Sequence, residues 1–112
     1  MKFRSLSAIA ASTVLSFTPL AIAHAQSEWS IGQRESWLDS RIDRARDDGA
    51  IDGRQARQLH DAVRNIRTDE DRMRDDSYGD LSGYDRDNLS SRIDGVANRL
   101  DNLSDHEFAA PW

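Results

Sequence analysis

A helix-breaking joint occurs twice in this chain, with an offset of thirty residues. Gly49-Ala50-Ile51-Asp52-Gly53 is followed by Leu59, and Gly79-Asp80-Leu81-Ser82-Gly83 is followed by Leu89. In each joint a glycine is free to take the left-handed backbone that closes a helix. Asp52 and Ser82 carry side-chain oxygens suited to capping the next helix, and Gln55 and Asp85 stand three residues on, in or near the capping-box position. Ile51 and Leu81 precede the caps, where a hydrophobic staple belongs. Each joint therefore reads as helix stop, one buried apolar residue, helix start. Joints this short favour antiparallel neighbours.

Helical spacing fills the chain between the joints. A first stretch, 31–48, carries Ile31, Leu38, Ile42 and Ala45 on one stripe, with Ser30 as N-cap and Gln33 in the capping-box position. A second, 53–77, carries Ala56, Leu59, Val63, Ile66 and Met73. A third, 83–103, carries Leu89, Ile93, Val96, Leu100 and Leu103. No stretch alternates with period two. The expected fold class is all-α, an up-down-up antiparallel three-helix arrangement over 26–103 with a C-terminal tail, 104–112. That order puts Trp29, Trp37, Met73, Tyr78, Leu81 and Tyr84 at an aromatic end, and Ile42, Ile51, Leu59, Val63, Val96 and Leu100 at an aliphatic end. Glu70 falls on the core stripe of the second helix. It is read as solvated at a loose end of the bundle, as paired with an arginine, or as a functional carboxylate. The tail lacks helical spacing and Pro111 discourages a helix. Phe108 and Trp112 are expected either to fold back onto the aliphatic end or to hang free.

Residues 1–25 read as a secretory signal peptide. Lys2 and Arg4 supply the charged start, an apolar run extends from Leu6 to Ile22, and Ala23-His24-Ala25 supplies an A-x-A exit before Gln26. The alternative, a membrane anchor, fits less well. The run includes Ser7, Ser12, Thr13, Ser16, Thr18 and Pro19, and is short for a span. Cleavage after Ala25 and a periplasmic or secreted location are expected, with no membrane span afterwards. The chain has no cysteine in a compartment that permits disulfides, so packing must stabilise it. Lack of cysteine also excludes thiol catalysis, thiolate metal sites and covalent haem attachment.

After residue 25 there are thirteen arginines against twenty acids, a net charge of −7. That balance disfavours nucleic acid and anionic membrane surfaces as partners. It favours cations or basic proteins mildly.

Calcium is the first chemistry to weigh, because the joints share the helix-loop-helix frame of an EF-hand. That loop needs oxygen ligands at fixed positions around its central glycine. With Gly49 or Gly79 in that place, the first ligand position is Arg44 or Arg74, and no glutamate closes either loop. No metal site is therefore expected, and Asp47, Asp48, Asp52, Asp76 and Asp80 remain as weak divalent-cation candidates. His60 and His106, with Asp61 or Asp105, have the ligand types of a transition-metal site without its close spacing. No nucleophile elbow or phosphate loop is present, so no catalytic residue, no cofactor and no enzymatic activity are expected. Trp29, Trp37 and Tyr84 are the interaction candidates. They read either as an exposed binding face or as core at the wide end of the bundle.

Trp29-Ser30-Ile31, Arg41-Ile42-Asp43 and the Gly-x-Ile/Leu joints at Gly49 and Gly79 carry a resemblance over 29–103. The chain resembles a loosely defined group of small uncharacterised exported (periplasmic) helical proteins of proteobacteria. The resemblance implies export and a helical fold, and brings no activity, cofactor or catalytic residue. Periplasmic helical chaperones and metal-stress sensors are a more distant comparison in architecture, and this chain lacks their Leu-Thr-x-x-Gln repeats and His- or Met-rich boxes. The expected role is a non-catalytic interaction or structural module of the cell envelope, binding a protein partner or a second copy of itself. A divalent-cation responsive protein using the acidic joints is the alternative.

Overall fold

The computed structural model describes residues 29–112, so the signal-peptide reading of 1–25 lies outside the described residues. Three helices follow one another: α1 (Ile31–Asp47), α2 (Gly53–Asp76) and α3 (Gly83–Leu103). They form an up-down-up antiparallel arrangement in which each helix packs against the other two. No strand occurs among the described residues, and none of their helices is long and apolar enough to cross a membrane.

Local chemistry sets the helix starts. Ser30 Oγ accepts from the Gln33 amide at 3.1 Å, and Gln33 Oε1 accepts in return from the Ser30 amide at 2.8 Å. Asp52 and Gln55 repeat this exchange at 2.7 and 2.9 Å. Each pair satisfies two of the donors that a helix start leaves without partners. Ser82 accepts from the Asp85 amide at 3.0 Å. Asp85 is one methylene shorter than glutamine, and no capping box closes there.

The helix ends differ from one another. Gly49, at φ 77°, closes α1, with its amide donating to Arg46 and that of Ala50 to Ala45. This is the pattern in which a left-handed residue satisfies the last free carbonyls. At the second joint the expected left-handed Gly79 is preceded by a second left-handed residue. There Tyr78 takes the closing left-handed position at φ 57°, and Gly79 continues it at φ 100°. The Gly79 amide then reaches the Arg74 carbonyl at 2.7 Å. A non-glycine residue in this conformation costs about 1–2 kcal/mol, and it leaves the Tyr78 ring wholly in solvent. The same geometry ends α3 at Asp105 and His106.

The stripes meet in one core. Leu38, Ile42, Leu59, Val63, Leu89, Ile93 and Leu100 are fully buried, and Ile51 and Leu81 bring one buried apolar residue from each joint. The tail packs onto this core. Phe108 is buried and lies near Arg44 and Asp48 at the aliphatic end. Trp112 instead reaches the opposite, tryptophan-bearing part of α1, against Trp29 and Trp37. The expected aromatic end is therefore corrected. Tyr78 and Tyr84 stand exposed, and the aromatic partner of Trp29 and Trp37 is a tail residue.

Candidate functional site

Two features stand out, one on the surface and one between helices. The surface feature is a tryptophan cluster. Trp29 precedes α1, Trp37 lies two turns later, and Trp112 lies across both. Ring centroids are 5.8 Å apart for Trp29–Trp112 and 5.2 Å for Trp37–Trp112, the second pair meeting edge to face. Trp112 Nε1 donates to Asp94 of α3 at 2.8 Å, which fixes the ring. The guanidinium of Arg34 stands over Trp112 and that of Arg41 over Trp37, each 5.5 Å from the ring centroid. Cations at that distance are attracted by the ring faces. Beside the two indoles of Trp29 and Trp37 the outward side of α1 carries Gly32, Gln33, Ser36 and Ser40, and it continues onto Arg41 and Arg44. All three indoles are half-buried, so this is neither closed core nor a set of free rings. Of the interaction candidates, the structure joins Trp29 to Trp37 through Trp112. Tyr84, 79% exposed at the start of α3, takes no part in these ring contacts.

The second feature is a row of polar groups along the α1–α2 seam. Glu35, Asp39 and Asp43 follow at four-residue intervals on α1, so they share one side of that helix. Running antiparallel, α2 sets Glu70, Arg67 and His60 against them. Arg67 Nε donates to Glu35 at 2.9 Å, and its Nη1 lies 2.7 Å from Asp39. His60 sits between Asp39 and Asp43, at 3.0 and 2.8 Å. Glu35 is almost fully buried, and burial together with the facing Glu70 pushes its carboxyl up to about 7 against the pull of Arg67. Glu70, read from the sequence as solvated, paired or functional, is buried and paired, with both Nε and Nη2 of Arg74 on one oxygen. On the other seam, Arg92 of α3 bonds Asp69 at 2.7 Å and holds that carboxyl below its usual range.

Glu35 is the residue that sequence reasoning missed. It stands four residues after Ile31 and three before Leu38, on the core stripe itself. That is the signal that drew attention to Glu70, and the antiparallel order brings the two together.

The metal candidates remain dispersed. Asp47, Asp48, Asp76 and Asp80 are exposed, and Asp52 caps α2. Asp61 is bonded by Arg64, and His106 by Asp101. Among the described residues no group of three or more His, Asp or Glu side chains is placed to hold a metal ion.

Comparison of the chain with family models, curated proteins and solved structures finds no match.

Proposed function

We propose that this chain is a non-catalytic interaction module of the cell envelope, exported by residues 1–25 and engaging a protein partner through its tryptophan face. The observation that carries the reading is the convergence of Trp29, Trp37 and Trp112 on one side of the domain. Trp112 comes from the far end of the chain to meet the other two, and arginines stand on two of the rings. Half-buried tryptophans flanked by arginine have the composition of interface anchors, combining large apolar area with a polar edge. The small side chains beside them let a partner approach the α1 backbone. The cation-responsive alternative has no comparable support, because its acids are scattered and one of them caps a helix.

Capture from an envelope extract tests the reading. Trp29 lies outside the helices, so Trp29→Ala should leave the helical circular dichroism unchanged while reducing partner retention at least tenfold. Tyr84→Ala should retain the partner in full. Equal capture by the Trp29 variant would remove the face from consideration. Export is tested separately by the mass of the protein recovered from the periplasm. A chain beginning at Gln26 is expected, and recovery with residues 1–25 attached in the cytoplasm would sink the envelope assignment.

A further inference from the structure

The polar row between α1 and α2 contains an arrangement that the tryptophan face does not use. Glu35 and Glu70 are 3% and 9% exposed, on neighbouring helices, and Glu70 is among the groups that raise the Glu35 carboxyl. Two ionised carboxylates so placed repel each other, and the donor inventory is one short. Arg67 supplies Glu35 Oε2, and Arg74 supplies Glu70 Oε1. Glu35 Oε1 is buried with no donor. The surrounding cations are engaged elsewhere. Arg67 also reaches Asp39, Arg92 of α3 bonds Asp69, and Arg34 reaches Ser90 of α3 through Nη1, its own buried Nε having no acceptor. A proton on the Glu35 carboxyl supplies the missing hydrogen and removes the repulsion.

Further along the row, His60 has a carboxylate oxygen at each ring nitrogen, from Asp39 and Asp43. A neutral imidazole carries one N–H, and only the imidazolium carries two. The charges beside it on α2 do not compete, since Asp61 and Arg64 bond each other. On the α3 side Arg99 reaches Gln58.

We propose that the α1–α2 seam is a proton-dependent clamp: one proton on the buried Glu35 carboxyl, and a second on His60 between Asp39 and Asp43, draw α1 onto α2. This goes beyond the partner reading and does not depend on it. The direction follows from linkage. Burial first, then Glu70, raises the Glu35 carboxyl to about 7. At His60 burial opposes the charge, but the bonds to Asp39 and Asp43 outweigh it and the pKa rises above 6.5. Both groups therefore bind protons more tightly folded than unfolded. Their contribution is complete in mild acid and is lost as pH rises through the folded-state values. For Glu35 the window runs from 4.5 to about 7; for His60 it opens at 6.5. Inside a window, each such proton changes the folding equilibrium by up to about tenfold per pH unit.

Urea unfolding of the purified protein between pH 5.5 and 8.5 reads this directly. The wild-type folding constant should fall at least about tenfold more than that of Glu35→Gln between pH 5.5 and 7.5. The glutamine amide supplies its N–H at every pH, so Glu35→Gln should match or exceed wild type at pH 8.5. His60→Gln should flatten only the part of the profile above pH 6.5. Parallel profiles for wild type and Glu35→Gln would overturn the clamp. Carboxyl NMR of the wild-type protein needs no variant to fold. A glutamate resonance titrating near 7 is expected, and titration of every glutamate in the ordinary range near 4.3 would equally overturn it.

Discussion

Replacing Arg67 with methionine destabilises the domain by about 2–4 kcal/mol at pH 7. Removing one partner of a buried ion pair costs about 3–5 kcal/mol, and the loss here is smaller because Glu35, whose carboxyl is raised to about 7, takes up a proton once Arg67 no longer opposes it. Arg67 is itself partly exposed, so water moderates the loss. Two acids are affected. Glu35 loses its only guanidinium, and Asp39 keeps only His60. Urea unfolding at pH 7 is the measurement, and a loss below about 1 kcal/mol would show that Arg67 is merely a surface pair. The double variant Arg67→Met with Glu35→Leu should recover most of the stability, because replacing both members of a buried pair by apolar groups is often close to neutral. Non-additivity of that kind is expected of groups in one network.

Truncating Leu59 to alanine costs about 2–5 kcal/mol, the range for a fully buried leucine. Leu59 is completely buried near the start of α2, and helices α1 and α3 both pack on its helix. Domains of this size are stable by about 5–15 kcal/mol at most. The loss is therefore a large share of the total, and the thermal midpoint should fall by about 10 °C or more. Tyr84→Ala, on the exposed start of α3, should change stability by no more than about 0.5 kcal/mol. A Leu59→Ala midpoint within a few degrees of wild type would mean that the core closes around the vacancy.

The first two helices were legible because three independent signals agree at each of them. Apolar period, cap residue and the residue three positions on all point to the same start at Ser30 and at Asp52, and the observed bonds are those the pairs imply. At the second joint the sequence offers Gly79 as the helix-closing residue. The chain turns one residue earlier, at Tyr78, because the Gly79 amide still reaches the Arg74 carbonyl when two residues are left-handed. No local propensity marks tyrosine for that conformation.

The site was legible in part. Trp29 and Trp37 stand eight residues apart around the start of the first helical stretch, so the antiparallel order puts both at the same end of the bundle. Trp112 was not legible, because a tail without periodicity gives no indication of where it will lie. Its position follows from long-range contacts, a bond to Asp94 and stacking on two indoles. Glu35 illustrates a different limit. A single acid interrupting an apolar stripe is easily passed over as a gap in the pattern. Only the pairing of α1 with α2 shows that the gap faces a second one.

The acids of α1 have a further consequence for how the helices align. Glu35, Asp39, Asp43 and Asp47 repeat every four residues. If α1 slid one turn along α2, Arg67 and His60 would meet the next acids in the series, and charge alone would accept a ratchet step of about 6 Å. The apolar stripe supports that step less well, since it would move Leu38 and Ile42 away from their places. The five residues between the helices, Asp48 to Asp52, are too few to absorb it. Trp112 opposes the slip from the other side. By spanning Trp29 and Trp37 while bonded to α3, it acts as a pawl on the row of charges.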